Sequence, residues 1–318
     1  LYLIFLFFEP SLVKLFPPLS AEKIRLITQL IKKNYLCRRM SKSYLKMIEK
    51  SRDILENEIR SKLGKHCSLT LFGSAKNGFG LNGSDADMCL RRSFFYEVIM
   101  QNNNFLRLCA LKYFYIVYVT VAFSISLYNE LAVVNTRLLR TYCDLDRRVQ
   151  ELGIALKQWA KMCNIGDASK GSLSSYSYII MLIHFLQRTN PPVLPFLQEV
   201  YLSLACEYFH MVEGWDTFFY KPNELQWKTS NDETVGLLWV QFLDFYTKKF
   251  DFANEVVQIR QRNSLLKLNK GWELKPMAIE DPFNLDHNLS SGLQYKSKEI
   301  TFIYAKKHFF TTFVYAIF

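Results

Sequence analysis

The sequence predicts an α+β protein whose second half is mostly helical, and three observations predict it. Residues 41–63 carry an amphipathic helix pattern. Two short β-type runs follow at 68–72 and 88–90, separated by a segment rich in Gly, Ser and Asn that must turn. Beyond Asn129 the texture changes to long helical patterns at 129–140, 146–163, 172–187, 193–208 and 234–250. The change from helix, strand, loop, strand to successive helices places a domain boundary near residue 128.

The first helix is read from Leu45, Ile48, Leu55, Ile59 and Leu63, spaced by three, four or seven with Lys, Arg and Glu between them. Gly64 ends it, because glycine accepts the backbone angles at which helices stop. Pro191-Pro192 separates two of the later helices, since proline lacks the donor a helix interior needs. The chain of 318 residues is long enough for about two domains, each with its own core. No internal repeat is visible.

Lys and Arg number 40 against 29 Asp and Glu, a net charge of +11, which points to a polyanionic partner such as nucleic acid or an acidic membrane surface. Half the residues are hydrophobic and Gly and Pro are few, which excludes a disordered or collagenous chain. The seven cysteines are an odd set without a C-x-x-C pair, so no local zinc site or disulfide framework is encoded and a reducing compartment is expected. Leu1 to Phe16 is broken by Glu9 and Pro10, lacks a basic start and makes a poor signal peptide. Tyr113 to Leu127 is uncharged over 15 residues, shorter than the roughly 20 a spanning helix requires, and reads as buried strands or a buried helix.

The chemistry is concentrated in Gly73-Ser74 and, after ten intervening residues, Asp85-Ala86-Asp87. Alternate strand residues share a face, so Asp85 and Asp87 present two carboxylates side by side. Like charges this close are costly unless a cation neutralises them, and Mg²⁺ prefers such oxygens. A Gly-Ser turn leaving a strand offers backbone N–H groups and a hydroxyl to phosphate. D-x-D alone is common in acidic turns; its spacing from Gly-Ser, between two strand-like runs, makes the pairing informative.

The run from Leu71 to Leu90 resembles the nucleotidyltransferase superfamily that includes DNA polymerase β and poly(A) polymerases. It is most similar to terminal uridylyltransferases and non-templated cytoplasmic poly(A) polymerases. Further landmarks of that family are Ile125-Ser126-Leu127-Tyr128-Asn129, Asn135-Thr136-Arg137-Leu138-Leu139, Met162 to Tyr176, Asn190-Pro191-Pro192, Ile279-Glu280-Asp281-Pro282-Phe283, and His287-Asn288. The resemblance covers about residues 41–90 and 124–293. It implies a polymerase β-like mixed-sheet nucleotidyltransferase core at 41–128, atypical over 91–122, and a helical poly(A)-polymerase-associated domain at 129–293. Residues 1–40 match poorly, and 294–318 form an unmatched tail.

The resemblance also implies roles. Asp85 and Asp87 are the catalytic metal ligands for Mg²⁺ or Mn²⁺, and Gly73 and Ser74 touch phosphate. Lys157 and Lys161, four apart on one helix face, bind the triphosphate. Ser175 contacts a phosphate and Tyr176 stacks on the incoming base. Asn135 and Thr136 reach the ribose, Glu280 to Phe283 closes over the base, and His287 selects uracil. The implied reaction is UMP transfer from UTP to a single-stranded RNA 3′ end, in the cytoplasm, with no membrane. No RRM, KH or zinc-knuckle signature is present, so RNA choice falls to an RNA-binding protein partner or a missing segment.

The chain departs from the family in one chemically central place. A third carboxylate belongs directly before Ile125, where this sequence has Ser124 preceded by Phe123. The segment 91–122 is shorter than the family's and matches none of its landmarks. It shares an apolar texture with residues 1–18 and 299–318, the mark of translated non-coding sequence, a decayed gene or a lineage-specific insertion. Ser124 makes an impaired enzyme or an inactive RNA-binding homologue the rivals to an active uridylyltransferase, alongside a poly(A) polymerase of the same family. Glu97 and Glu130 are the carboxylates placed to substitute for the missing acid.

Overall fold

The computed structural model describes residues 19–92, 121–199 and 210–293. Helix α1 (Ala21–Arg38) and helix α2 (Lys42–Leu63) each start at a serine, Ser20 and Ser41, whose side chain accepts an N–H of the first turn. A three-stranded mixed sheet follows in the order β1 (Cys67–Phe72), β2 (Ala86–Arg92), β3 (Phe123–Leu127). β1 and β2 are antiparallel, while β3 runs parallel to β2. Ala86, Met88 and Leu90 of β2 bury one sheet face with Ile48, Leu55 and Ile59 of α2. This alternation leaves Asp87 and Cys89 on the opposite face.

The remaining major helices are α3 (Glu130–Leu145), α4 (Arg147–Met162), α5 (Ser175–Gln187) and α6 (Val235–Asp244), the last continuing as a wider π turn through Lys249. Their apolar faces form the larger core around Leu138, Leu152, Leu156, Ile183 and Trp239. α1 lies in the segment that the sequence set apart from both domains, yet Ile27, Leu30 and Ile31 enter this core and α1 packs on α4 and α6. Its buried positions Ile27, Leu30, Ile31, Asn34 and Tyr35 follow helical spacing, with Asn34 the one polar residue on that face.

Two expectations change. The helix expected over 193–208 is absent from its described part: 193–199 is irregular, with Val193 and Leu194 both hydrogen-bonded back to the carbonyl of Leu186. Burying Val193, Leu194 and Leu197 through a chain reversal overrides their helical spacing. The uncharged stretch 113–127, expected as buried strands or a buried helix, does end in a strand, β3, but one that is half-buried to exposed; residues 113–120, like Glu97, lie outside the described residues. Among the described residues, no helix is long and apolar enough to cross a membrane.

The two halves are locked together by the loop between β1 and β2. Phe79, 1% exposed, inserts its ring against α4 at Gly153, where a β-carbon would meet the ring at 2.3 Å. Around it, Lys157 donates to the carbonyl of Phe79 at 2.9 Å and Gln150 to that of Gly78 at 3.2 Å. Tyr35 of α1 steadies Gln150 through a 3.1 Å bond to its Oε1. Gly153→Ala should therefore force the ring out of its notch, destabilising the fold by about 1–3 kcal/mol, the usual cost of overpacking. Thermal unfolding of the two proteins checks this, and an unchanged midpoint would show that the notch is not a constraint.

Candidate active site

β1 ends at Phe72 and the chain turns at once, Gly73 opening a single 3₁₀ turn through Ala75. Gly73 sits at φ +65°, and a β-carbon there would stand 2.5 Å from Asp87 Oδ2. Both the backbone angle and the close approach require glycine. Thr136 Oγ1 accepts the Gly73 N–H at 2.8 Å and donates to the carbonyl of Ala132 at 2.7 Å. The turn carrying Ser74 is thereby held over Asp87 and tied to α3.

Across the sheet, Asp87 pairs in register with Phe72 on one side and Ser124 on the other. Burial, and then the charge of Asp85, push the Asp87 carboxyl above its ordinary range, while Lys157 draws it back down. Lys157 answers in kind: its half-buried ammonium is lowered to about 8 by desolvation, against the opposing pull of Asp87. The site thus holds an under-neutralised pair of acids facing one cation. A neutral, exposed serine occupies the strand position next to Asp87. Among the described residues no cluster of three or more His, Cys, Asp or Glu is placed to hold a metal.

These groups line a cavity of about 580 Å³ between sheet and helices. It brings together Gly73, Ser74, Asp87, Asn135, Thr136, Lys157, Ser175, Tyr176 and His287. Asp85 stands just outside the lining, exposed one residue before β2, and Lys161 lies exposed in the last turn of α4, also outside it. The four-residue spacing placed both lysines on one face; the last turn carries Lys161 past the cavity. Thr136 lines the cavity, but with its proton given to Ala132 and Gly73 donating to it, its hydroxyl mainly holds the turn.

On the helical side, Ser174 caps α5 by accepting the Ser177 N–H at 3.1 Å, so Ser175 and Tyr176 open the helix at the cavity wall. The Tyr176 hydroxyl is raised well above its usual value by burial, with the Asp281 carboxylate adding to it. Asn135 Nδ2 reaches Asp281 Oδ2 at 3.5 Å, leaving Asn135 Oδ1 buried without a partner. Asp281 Oδ1 also accepts the N–H groups of Phe283 and Asn284, and its own N–H donates to the carbonyl of His287. This closed turn presents the exposed His287 ring to the cavity.

Terminal uridylyltransferase 4 of Mus musculus is 40% identical over 289 residues, covering 81% of this chain and 18% of that protein. The chain belongs to the terminal uridylyltransferase and non-templated poly(A) polymerase family. Poly(A) RNA polymerase GLD2-B of Xenopus laevis is 30% identical over 74% of the chain and 51% of its own length. Residues 234–287 match the Cid1 family poly A polymerase description, and 27–114 the central palm domain of mitochondrial-like poly(A) RNA polymerase. A solved Cid1 poly(U) polymerase with Mg 3′-dATP bound superposes with a TM-score of 0.78 at 26% identity, covering 88% of this chain and 92% of that one. The structure of a cytoplasmic RNA terminal U-transferase gives the same TM-score, over 92% and 98%. The fold is accordingly an α+β nucleotidyltransferase with a poly(A)-polymerase-associated domain, and the chain spans less than a fifth of the uridylyltransferase it matches.

Two elements of this family member's site escaped the sequence reading. Phe79 looked like one apolar residue in a glycine-rich loop; only its pairing with Gly153, more than 70 residues away, reveals its role. Glu213 stands at the tip of a hairpin (β4, Met211–Val212; β5, Trp215–Asp216) and lines the cavity. Its Oε1 accepts the N–H groups of Glu130 and Leu131 at 3.0 and 3.4 Å, capping α3 from outside. Val212-Glu213-Gly214-Trp215 was legible as a two-residue turn, but not its destination. Glu130 itself is ion-paired with Arg91, so it does not stand in for the acid missing at Ser124.

Because the folded state raises the Asp87 carboxyl, it holds that proton more tightly than the unfolded chain. The group's contribution to stability is therefore present in acid and is lost as pH rises through the folded value. Asp87→Asn should raise the melting temperature near pH 7 in a chelator, with an advantage that disappears in acid. Mg²⁺ should raise the melting temperature of the parent but not of the variant. Melting curves at two pH values, with and without Mg²⁺, check both signs.

Proposed function

We propose that the chain is an RNA uridylyltransferase-type nucleotidyltransferase that takes UTP and a single-stranded RNA 3′ end, and that Ser124 makes it a slow one. The observation that carries this reading is the convergence of the Gly73-Ser74 turn, Asp87 and Lys157 with Tyr176, Asn135 and His287 on the lining of one cavity. The first group suits a triphosphate, the second a ribose and base. The relatives named above are uridylyltransferases and poly(A) polymerases, which supports nucleotidyl transfer to RNA.

The raised Asp87 carboxyl beside Asp85 fits a divalent cation, since Mg²⁺ or Mn²⁺ would relieve the repulsion that burial intensifies. Asp85 and Asp87 would hold it; when bound, it neutralises phosphate charge and makes a 3′-hydroxyl a better nucleophile. The chain's own groups supply the rest. The Ser74 hydroxyl and the turn's amides receive phosphate, and Lys157 offers a charge already partly stripped of water. Ser175 meets a phosphate at the start of α5, where helix N–H groups favour an anion, and Lys161, exposed one turn along α4 from Lys157, is assigned to the triphosphate on the family resemblance alone. Tyr176 gives the base a flat face. Asn135, with its unpartnered Oδ1, accepts from a ribose hydroxyl, and His287 hydrogen-bonds to uracil and crowds a purine.

Ser124 favours a second reading, an RNA-binding homologue that no longer transfers nucleotides, because a serine neither neutralises a metal nor accepts a proton at neutral pH. The poly(A) polymerase alternative differs at the base end. We place the protein in the cytoplasm, in keeping with the free thiols of Cys37, Cys67, Cys89, Cys143 and Cys163, and assign RNA choice to an RNA-binding protein partner.

Tailing of a short RNA by the purified chain, with UTP and ATP compared, decides between the two bases. His287→Leu should narrow the preference for UTP by about ten- to a hundredfold, the value of one lost hydrogen bond and a changed pocket shape. Tyr176→Ala should weaken both nucleotides alike, since stacking is base-tolerant. A UTP/ATP ratio indifferent to His287 would remove the main support for uridylyl transfer.

A further inference from the structure

A second cavity, of about 560 Å³, opens at the far end of the sheet. Its lining includes Arg60, Lys65, His66 and Arg91 with one carboxylate, Glu130; Arg91 pairs with Glu130, while Arg60 pairs with Glu56 outside the lining and donates to the carbonyl of Cys67. Tyr128 completes it, held at φ +51°, an angle uncommon for a bulky side chain and one the surrounding fold must impose. Basic groups around an aromatic face are what single-stranded nucleic acid binds: cations track the phosphates and the ring stacks a base.

The position of this cavity relative to the first supports the same ligand. Both flank one turn, Tyr128 to Leu131, from opposite sides: Asn129 and Leu131 line the nucleotide cavity, Tyr128 and Glu130 the basic one. The turn is fixed from three directions, by the Tyr128 N–H on the carbonyl of Leu90 at 3.1 Å, by Glu213 on the amides of α3, and by the Arg91–Glu130 pair. Asp87 and Arg91 are four residues apart on β2, about 13 Å at the rise of a strand, which is the reach of a few nucleotides. A chain whose 3′ end lies at Asp87 can therefore cross the turn and lay its next residues among these cations.

We propose that the basic cavity at Lys65, His66, Arg91 and Tyr128 binds the RNA nucleotides upstream of the reacting 3′ end, with the Tyr128–Leu131 turn as the divide between the incoming nucleotide and the RNA track. This rests on the reading of the chain as an RNA nucleotidyltransferase. The turn's α3 end is shared by both cavities, so RNA seated in one bears on the wall of the other.

The test uses the full chain, a labelled single-stranded RNA of about twelve nucleotides, a dinucleotide, and UTP with Mg²⁺, each binding measured separately. Lys65→Glu with His66→Ala changes an exposed turn and should weaken the longer RNA about tenfold or more. It should also flatten the salt dependence by roughly one phosphate contact, a slope of about 0.7. Dinucleotide and UTP binding should stay as in the parent. Tyr128→Phe should keep the affinity for the longer RNA, and Tyr128→Ala should lower it about fivefold or more with the salt slope unchanged. Parent-like binding of the longer RNA by the Lys65/His66 variant overturns the proposal. A parent that binds UTP but no RNA overturns it too and leaves the nucleotide site standing. A parent that binds neither overturns the functional reading from which it starts.

Discussion

The ring of Phe79 in the notch left by Gly153 is the contact on which the rest of the site depends. The sheet carries the acids, the helical half carries the cation and the base-facing groups, and their own cores are separate. The loop from Gly73 to Ser84 is the bridge. Phe79 belongs to the helical core although its neighbours in sequence belong to the sheet. Once the ring is seated, Lys157 falls on the Phe79 carbonyl, Gly78 on Gln150, and Gly73 on Thr136. Ser74 and Asp87 are thereby brought to the wall of α3 and α4. A small hydrophobic contact thus positions the polar chemistry, whose charges repel and could not assemble the site alone.

The electrostatics show what that assembly costs. Asp87 is raised and Lys157 lowered, both chiefly by desolvation, and each opposes the other's shift without cancelling it. Such perturbed, partly compensated groups in a cleft mark a site awaiting a charged ligand. Under the proposed function, a triphosphate with its cation would supply both signs at once. Asp281 is handled differently: two backbone amides and Asn135 satisfy it, so it shapes the cavity wall beside Tyr176 and His287 rather than contributing a free charge.

Much of this was legible in the sequence, for identifiable reasons. α2 and α3 to α6 were readable because their apolar periodicity matches their burial. β1 and β2 were readable because turn residues bracket them. Asp87 and the Gly-Ser turn were legible because their chemistry is tied to local spacing, whereas Asp85 stands one residue before β2, where strand alternation does not fix its face. What local spacing does not encode was lost. Phe79 with Gly153, Glu213 with the start of α3, and α1 against α4 and α6 are all long-range contacts. Lys157 and Lys161 share a helix face as their spacing implies, but only Lys157 lines the cavity, because spacing gives a direction and not how far along the helix the cavity extends. Ser124 was singled out by the absence of an expected acid, and the register that sets it beside Asp87 gives that absence its physical meaning.

The central claim is that the nucleotide cavity is intact while the acid next to Asp87 has been replaced by a hydroxyl. Ser124→Asp addresses it directly, because the substitution restores a carboxylate on an exposed strand position without disturbing the core. The measurement is the rate of tailing of a short RNA with UTP and Mg²⁺, before and after the change, alongside UTP binding. The account predicts UTP binding in both proteins, tailing in the parent depressed roughly 10²–10⁴-fold relative to an enzyme with such a group in place, and at least partial recovery in the variant. Efficient tailing by the unmutated chain, left unchanged by the aspartate, would contradict it.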